Sequence, residues 1–147
     1  MTLRERLDDE LKKAMKAREQ LSLSVIRNIR SVVKNREIDQ KIILDDAGIA
    51  EVITSLVKQR RDSIRMFRDA GREELAEKEE NELALLLAFL PRQLTPEEIE
   101  EIISQAVTSI GAVGLKDMGA LMKAVMPQVA GIADGALVSR IVKEKLS

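Results

Sequence analysis

Five cations of one segment, Lys58, Arg61, Arg65, Arg68 and Arg72, recur at intervals of three and four residues. At 100° per residue they fall within ~80° of one another on a helix, opposite Leu56 and Phe67. Such a stripe can track phosphates, because arginine forks match phosphate oxygens and each contact releases condensed counterions. It can equally be a solvated helix face, partly paired with Asp62, Asp69 and the glutamates that follow. Arg27, Arg30 and Lys34 form a second, smaller basic face open to the same two readings. Adjacency of the two faces in the fold would strengthen the nucleic-acid reading.

Other chemistry is mostly excluded by composition. Cysteine and histidine are absent, which removes disulfides, zinc held by thiolate or imidazole, and Ser-His-Asp or Cys-His catalysis. A general base would have to be a perturbed carboxylate or lysine, and no constellation for one is visible. The expectation is therefore no catalytic residue, no metal and no cofactor. Glu73, Glu74, Glu77, Glu79, Glu80 and Glu82 read as a solvated acidic face, since magnesium or calcium needs convergent oxygens with turn geometry. Phe67 and Phe89 are the only aromatic residues, and both occupy core-facing positions. Bases then have no stacking platform, and any RNA contact would read backbone and shape. Arg60 falls inside the apolar stripe, between Leu56 and Ile64, and reads as a partly buried arginine paired with Glu79 or Glu82.

The elements that must position these residues are helical. Of 147 residues, 45% are apolar and 33% charged, enough for one domain or two small ones packed together. The core is aliphatic, which favours helix packing over a β core. Thr2 with Glu5 opens a first helix carrying Leu3, Leu7, Leu11 and Met15. A second spans about 20–37 and breaks in the polar run 36–41. Asp45 or Asp46 caps a third, which ends at Ala70 with Gly71 in the left-handed conformation. A fourth runs from about Arg72 to Phe89, and Pro91 ends it. Thr95-Pro96-Glu97-Glu98 carries three start signals for a fifth. Met118, Met122 and Met126 mark the core face of a sixth, stopped by Pro127, and Asp134 caps a seventh. The fold class is all-α, a four-helix N-terminal unit (1–92) followed by a three-helix C-terminal bundle (93–147).

The net charge of −1 conceals a polarity: eight basic residues against one acid between Lys12 and Arg36, and ten glutamates against two cations between Glu73 and Glu101. No secretory leader pattern and no apolar run of about 18 residues is present, so the cytoplasm is the expected location.

Ordered motifs carry a family likeness. Val57-Lys58-Gln59-Arg60-Arg61-Asp62-Ser63-Ile64, Ala70-Gly71-Arg72 and Phe89-Leu90-Pro91-Arg92-Gln93-Leu94 resemble the N-terminal half of the GatB/YqeY family. Lys116-Asp117-Met118-Gly119, Met122 through Pro127, Ala133-Asp134-Gly135, and the closing Ile141 through Leu146 resemble its C-terminal half. That half is similar to the tail of the B subunit of the tRNA-dependent amidotransferase. The resemblance covers essentially the whole chain. It implies a non-catalytic, tRNA-associated binding module linked to a glutamine-dependent carbon–nitrogen ligase, with tRNA and an amidotransferase or aminoacyl-tRNA synthetase as partners. It also implies RNA contacts from Lys116, Lys123, Lys143 and Lys145. Around the turn before the last helix, where family members commonly carry lysine or arginine, this chain has Gln128, Ala130, Ile132 and Ala136. The alternative reading is a protein–protein adaptor docking on such a complex.

Overall fold

The computed structural model describes residues 1–147. Seven α-helices follow in order: α1 Leu3–Ala17, α2 Gln20–Gln40, α3 Asp46–Asp69, α4 Glu73–Leu87, α5 Pro96–Ile110, α6 Met118–Val129 and α7 Gly135–Leu146. A 3-10 turn, Leu115–Asp117, leads into α6, and there are no strands. No helix is long and apolar enough to cross a membrane. The chain divides into two compact units, Met1–Pro91 and Arg92–Ser147.

In the first unit the i, i+3/i+4 stripes of α1, α2 and α3 bury Leu3, Leu7, Ile26, Ile29, Val33, Ile49, Val52, Ile53, Leu56 and Val57 in one core. Leu86 and Phe89 close it from α4 and the residues after it. One polar knot holds three helix ends together. The Glu37 carboxylate accepts from Arg4 Nη2 at 2.6 Å and from the Leu44 N–H at 2.8 Å. Beside it, Asp46 accepts from the Leu3 N–H at 3.1 Å, while Asp45 accepts from the Gly48 N–H at 2.8 Å. Adjacent aspartates thus cap two different helices, Asp45 its own and Asp46 the start of α1. This knot explains why α2 outlasts its sequence expectation: tied down at Glu37, it continues to Gln40 and ends with Lys41 in the left-handed conformation.

The α3–α4 turn closes as sequence reasoning foresaw. Gly71 has φ +72°, its N–H bonds the Arg68 carbonyl, and the Arg72 N–H bonds Phe67 at 2.7 Å. These are the two bonds of a Schellman ending. Burial stops short of that turn. Ile64 is the last buried residue of α3, Phe67 is only half-buried, and Met66 is 70% exposed. The placing of Phe67 in the core is therefore corrected: α3, ~36 Å long at 1.5 Å per residue, outruns the core elements that could cover it.

The second unit repeats the logic on a smaller scale. Thr95 and Glu98 form a reciprocal capping box with Pro96 at the first helical position, so α5 starts where three signals coincide. Its Ile99, Ile103 and Ala106 meet Leu121, Val125 and Val129 of α6 and Val138, Ile141, Val142 and Leu146 of α7. The methionines flank that core instead of forming it, and Met126 is exposed. Pro127 lies within α6, which runs to Val129; near a C-terminus a proline removes one bond without stopping the last turn. The Arg92 guanidinium reaches both oxygens of Glu98. That bond, then the Thr95 N–H, holds Glu98 at about 2.

Arg60 sits in the α3–α4 seam, its Nε 2.9 Å from Glu82 and 3.3 Å from Glu79. Its Nε and Glu79 Oε2 are buried without an aligned hydrogen bond, so the cluster is held by charge. The side chains are 19%, 21% and 11% exposed for Arg60, Glu79 and Glu82. Truncating Arg60 leaves both carboxylates unpaired, at a cost of about 1–3 kcal/mol once partial solvation is allowed for. In urea melts Arg60→Ala is expected to lower the midpoint more than Arg60→Met, which keeps the methylene packing. The reverse order would contradict the assignment.

Candidate nucleic-acid interface

The arginine stripe of α3 meets the acidic helix it is joined to. Arg68 reaches Glu80 at 2.6 Å and Glu73 at 3.4 Å, and Arg65 is paired with Asp62 one turn earlier. Arg61 is half-buried and also has an interaction partner. Lys58 and Arg72 are exposed and form no ion pair. The stripe is therefore a mixed surface in which the central cations already face carboxylates.

The smaller face on α2 is arranged differently. Arg27, Arg30 and Lys34 line a groove of about 580 Å³ together with Arg4, Asp8, Ser31 and Glu37. Leu7, Val33 and Ile49 form its floor, and these are the residues whose burial packs α1, α2 and α3 together. Along α2 the three cations stand at i, i+3 and i+7, so they span ~10 Å of helix axis. Arg4 is committed to Glu37, and Arg30 Nε lies 3.6 Å from Asp8. Arg27 and Lys34 are exposed and unpaired. Four cations against two carboxylates leave an excess of positive charge in one concave place, where anions gather.

The groove and the α3 stripe share no lining residue. In the second unit, Lys145 is paired with Glu100 at 3.0 Å. Lys116, Lys123 and Lys143 are exposed on the 3-10 turn, α6 and α7 and form no ion pair. Sequence reasoning missed Arg4, Asp8, Ser31 and Glu37. Only the antiparallel pairing of α1 with α2 brings Arg4 level with a residue 33 positions away, and no local spacing signals it.

A family model described as Yqey-like protein matches residues 4–146. The chain belongs to the YqeY family. Among curated relatives, a Vanderwaltozyma polyspora protein named Altered inheritance of mitochondria protein 41, mitochondrial, is 35% identical over 119 residues, covering 76% of this chain and 64% of the relative. Its Kluyveromyces lactis namesake is 39% identical over 108 residues, covering 71% and 58%. That of Pyrenophora tritici-repentis is 32% identical over 142 residues, covering 95% and 78%. This YqeY chain thus spans 58–64% of the length of the two yeast relatives. The cytoplasmic expectation is corrected by these relatives, which are named as mitochondrial proteins. The pattern it rested on, a missing secretory leader and no long apolar run, does not distinguish the cytoplasm from an organelle interior.

The Leu44 N–H lowers the Glu37 pKa below the usual carboxylate range; partial desolvation opposes it and Arg4 assists. A carboxylate depressed in the folded state stabilises above its unfolded value near 4.5, and this is lost as pH falls through the lower folded value. Carboxyl NMR titration is expected to place Glu37 below the ordinary range. Arg4→Met should raise its midpoint only part of the way, because the Leu44 bond remains. An ordinary midpoint in the unsubstituted protein would contradict the knot.

Proposed function

We propose that this YqeY-family chain is a non-catalytic, tRNA-associated binding module that meets the RNA backbone through the α2 groove. What supports this reading most is a single observation: Arg27 and Lys34 stand without carboxylate partners in the same concavity as Arg30 and Arg4. Unpaired cations can neutralise phosphates at once, whereas Arg65 and Arg68 must first give up a partner. Lys58 and Arg72, and in the three-helix unit Lys116, Lys123 and Lys143, are the further cations available to phosphate; Arg61 and Lys145 start from existing contacts. The C-terminal likeness to the amidotransferase tail links the module to a glutamine-dependent carbon–nitrogen ligase whose chemistry resides elsewhere. For its setting we follow the relatives, whose names place them in mitochondria.

An adaptor that docks on an amidotransferase or aminoacyl-tRNA synthetase is the second reading. It is favoured by the mixed charge of the α3 stripe, which suits a protein surface of interleaved charges better than a polyanion.

Purified protein is expected to retard tRNA at about 50 mM salt, and Arg27→Glu with Lys34→Glu to abolish the retardation. Retardation that survives both reversals would overturn the groove. Absence of retardation by the unsubstituted protein, with a protein partner retained after RNase treatment, would favour the adaptor.

A further inference from the structure

The two carboxylates that line the α2 groove are unlike each other. Glu37 accepts two hydrogen bonds and is part of the knot between helix ends. Asp8 accepts none: its nearest cation is Arg30, at 3.6 Å, and both side chains are half-exposed. A pair at that distance and exposure is held by screened charge alone and exchanges readily. Asp8 nevertheless faces the middle cation of the i, i+3, i+7 series, while Arg27 and Lys34 on either side are unpaired.

We propose that Asp8 is a specificity-determining residue, a built-in counter-ion that an entering phosphate must displace from Arg30. This rests on the phosphate reading of the groove. A polyanion anchored by Arg27 and Lys34 holds its intervening phosphate beside Arg30 at a high effective concentration and outcompetes Asp8. A solitary small anion has no such anchor. Asp8 thereby favours a phosphodiester chain over free phosphate and lowers the groove's affinity for both.

Fluorescence anisotropy of labelled tRNA across a salt series tests this. Asp8→Asn is expected to tighten binding roughly two- to fivefold, the worth of an exposed ion pair converted to a ratio. The slope of log K against log salt is expected to stay essentially unchanged, since Arg30 neutralises its phosphate with or without Asp8. The gain should vanish in Asp8→Asn/Arg30→Gln. Asp9→Asn, an equal charge change at a residue paired with Lys13 outside the groove, should not reproduce it. Unchanged affinity in Asp8→Asn, a slope steepened by a further phosphate contact, an equal gain from Asp9→Asn, or a gain that persists without Arg30 would each overturn the proposal. The underlying reading fails by a different result, undiminished binding after charge reversal of Arg27 and Lys34.

Discussion

Burial of Ile49, Val52, Ile53, Leu56 and Val57 sets the rotation of α3 about its own axis, and the charged residues have no freedom to choose their neighbours after that. The same rotation brings Arg60 into the seam against Glu79 and Glu82 and turns Arg68 toward Glu73 and Glu80. Each apolar side chain buried contributes about 1.5–3 kcal/mol, several times the worth of an exposed ion pair. Packing therefore decides the geometry, and the electrostatic pattern is its consequence. A basic stripe facing an acidic helix is largely neutralised where it stands.

On α2 the same constraint has the opposite outcome. Burying Ile26, Ile29 and Val33 turns Arg27, Arg30 and Lys34 outward, and the neighbouring helix is α1, which offers only Asp8 at that level. Glu37 is already occupied by Arg4 and Leu44. The functional surface is thus a remainder: the cations that the local carboxylates do not reach.

Much of this was legible in the sequence because it follows from local pattern. The all-α class, the Gly71 ending, the Thr95 capping box and the Arg60 pairing all depend on residues within one helix or on two helices joined by a tight turn. What was not legible depends on partners far apart in the chain. Nothing near Glu37 reveals that Arg4, 33 residues away, will hold it, so the end of α2 extends past its expected place. Phe67 fits an apolar stripe by spacing, but spacing does not say how far the covering helices extend. The methionines of α6 share a period with Leu121 and Val125, and only the direction of α5 and α7 selects which set is buried. The two basic faces looked alike in sequence, and long-range pairing separates them.

The number of phosphates this surface neutralises is the quantity that tests the account most directly. Binding of tRNA to the unsubstituted protein, followed across a salt series, is expected to give a slope of log K against log salt of about −2 to −3, the signature of the few cations of one groove. A slope of about −7 or steeper would require the ion-paired arginines of α3 to engage as well, and would contradict the partition between paired and unpaired charge.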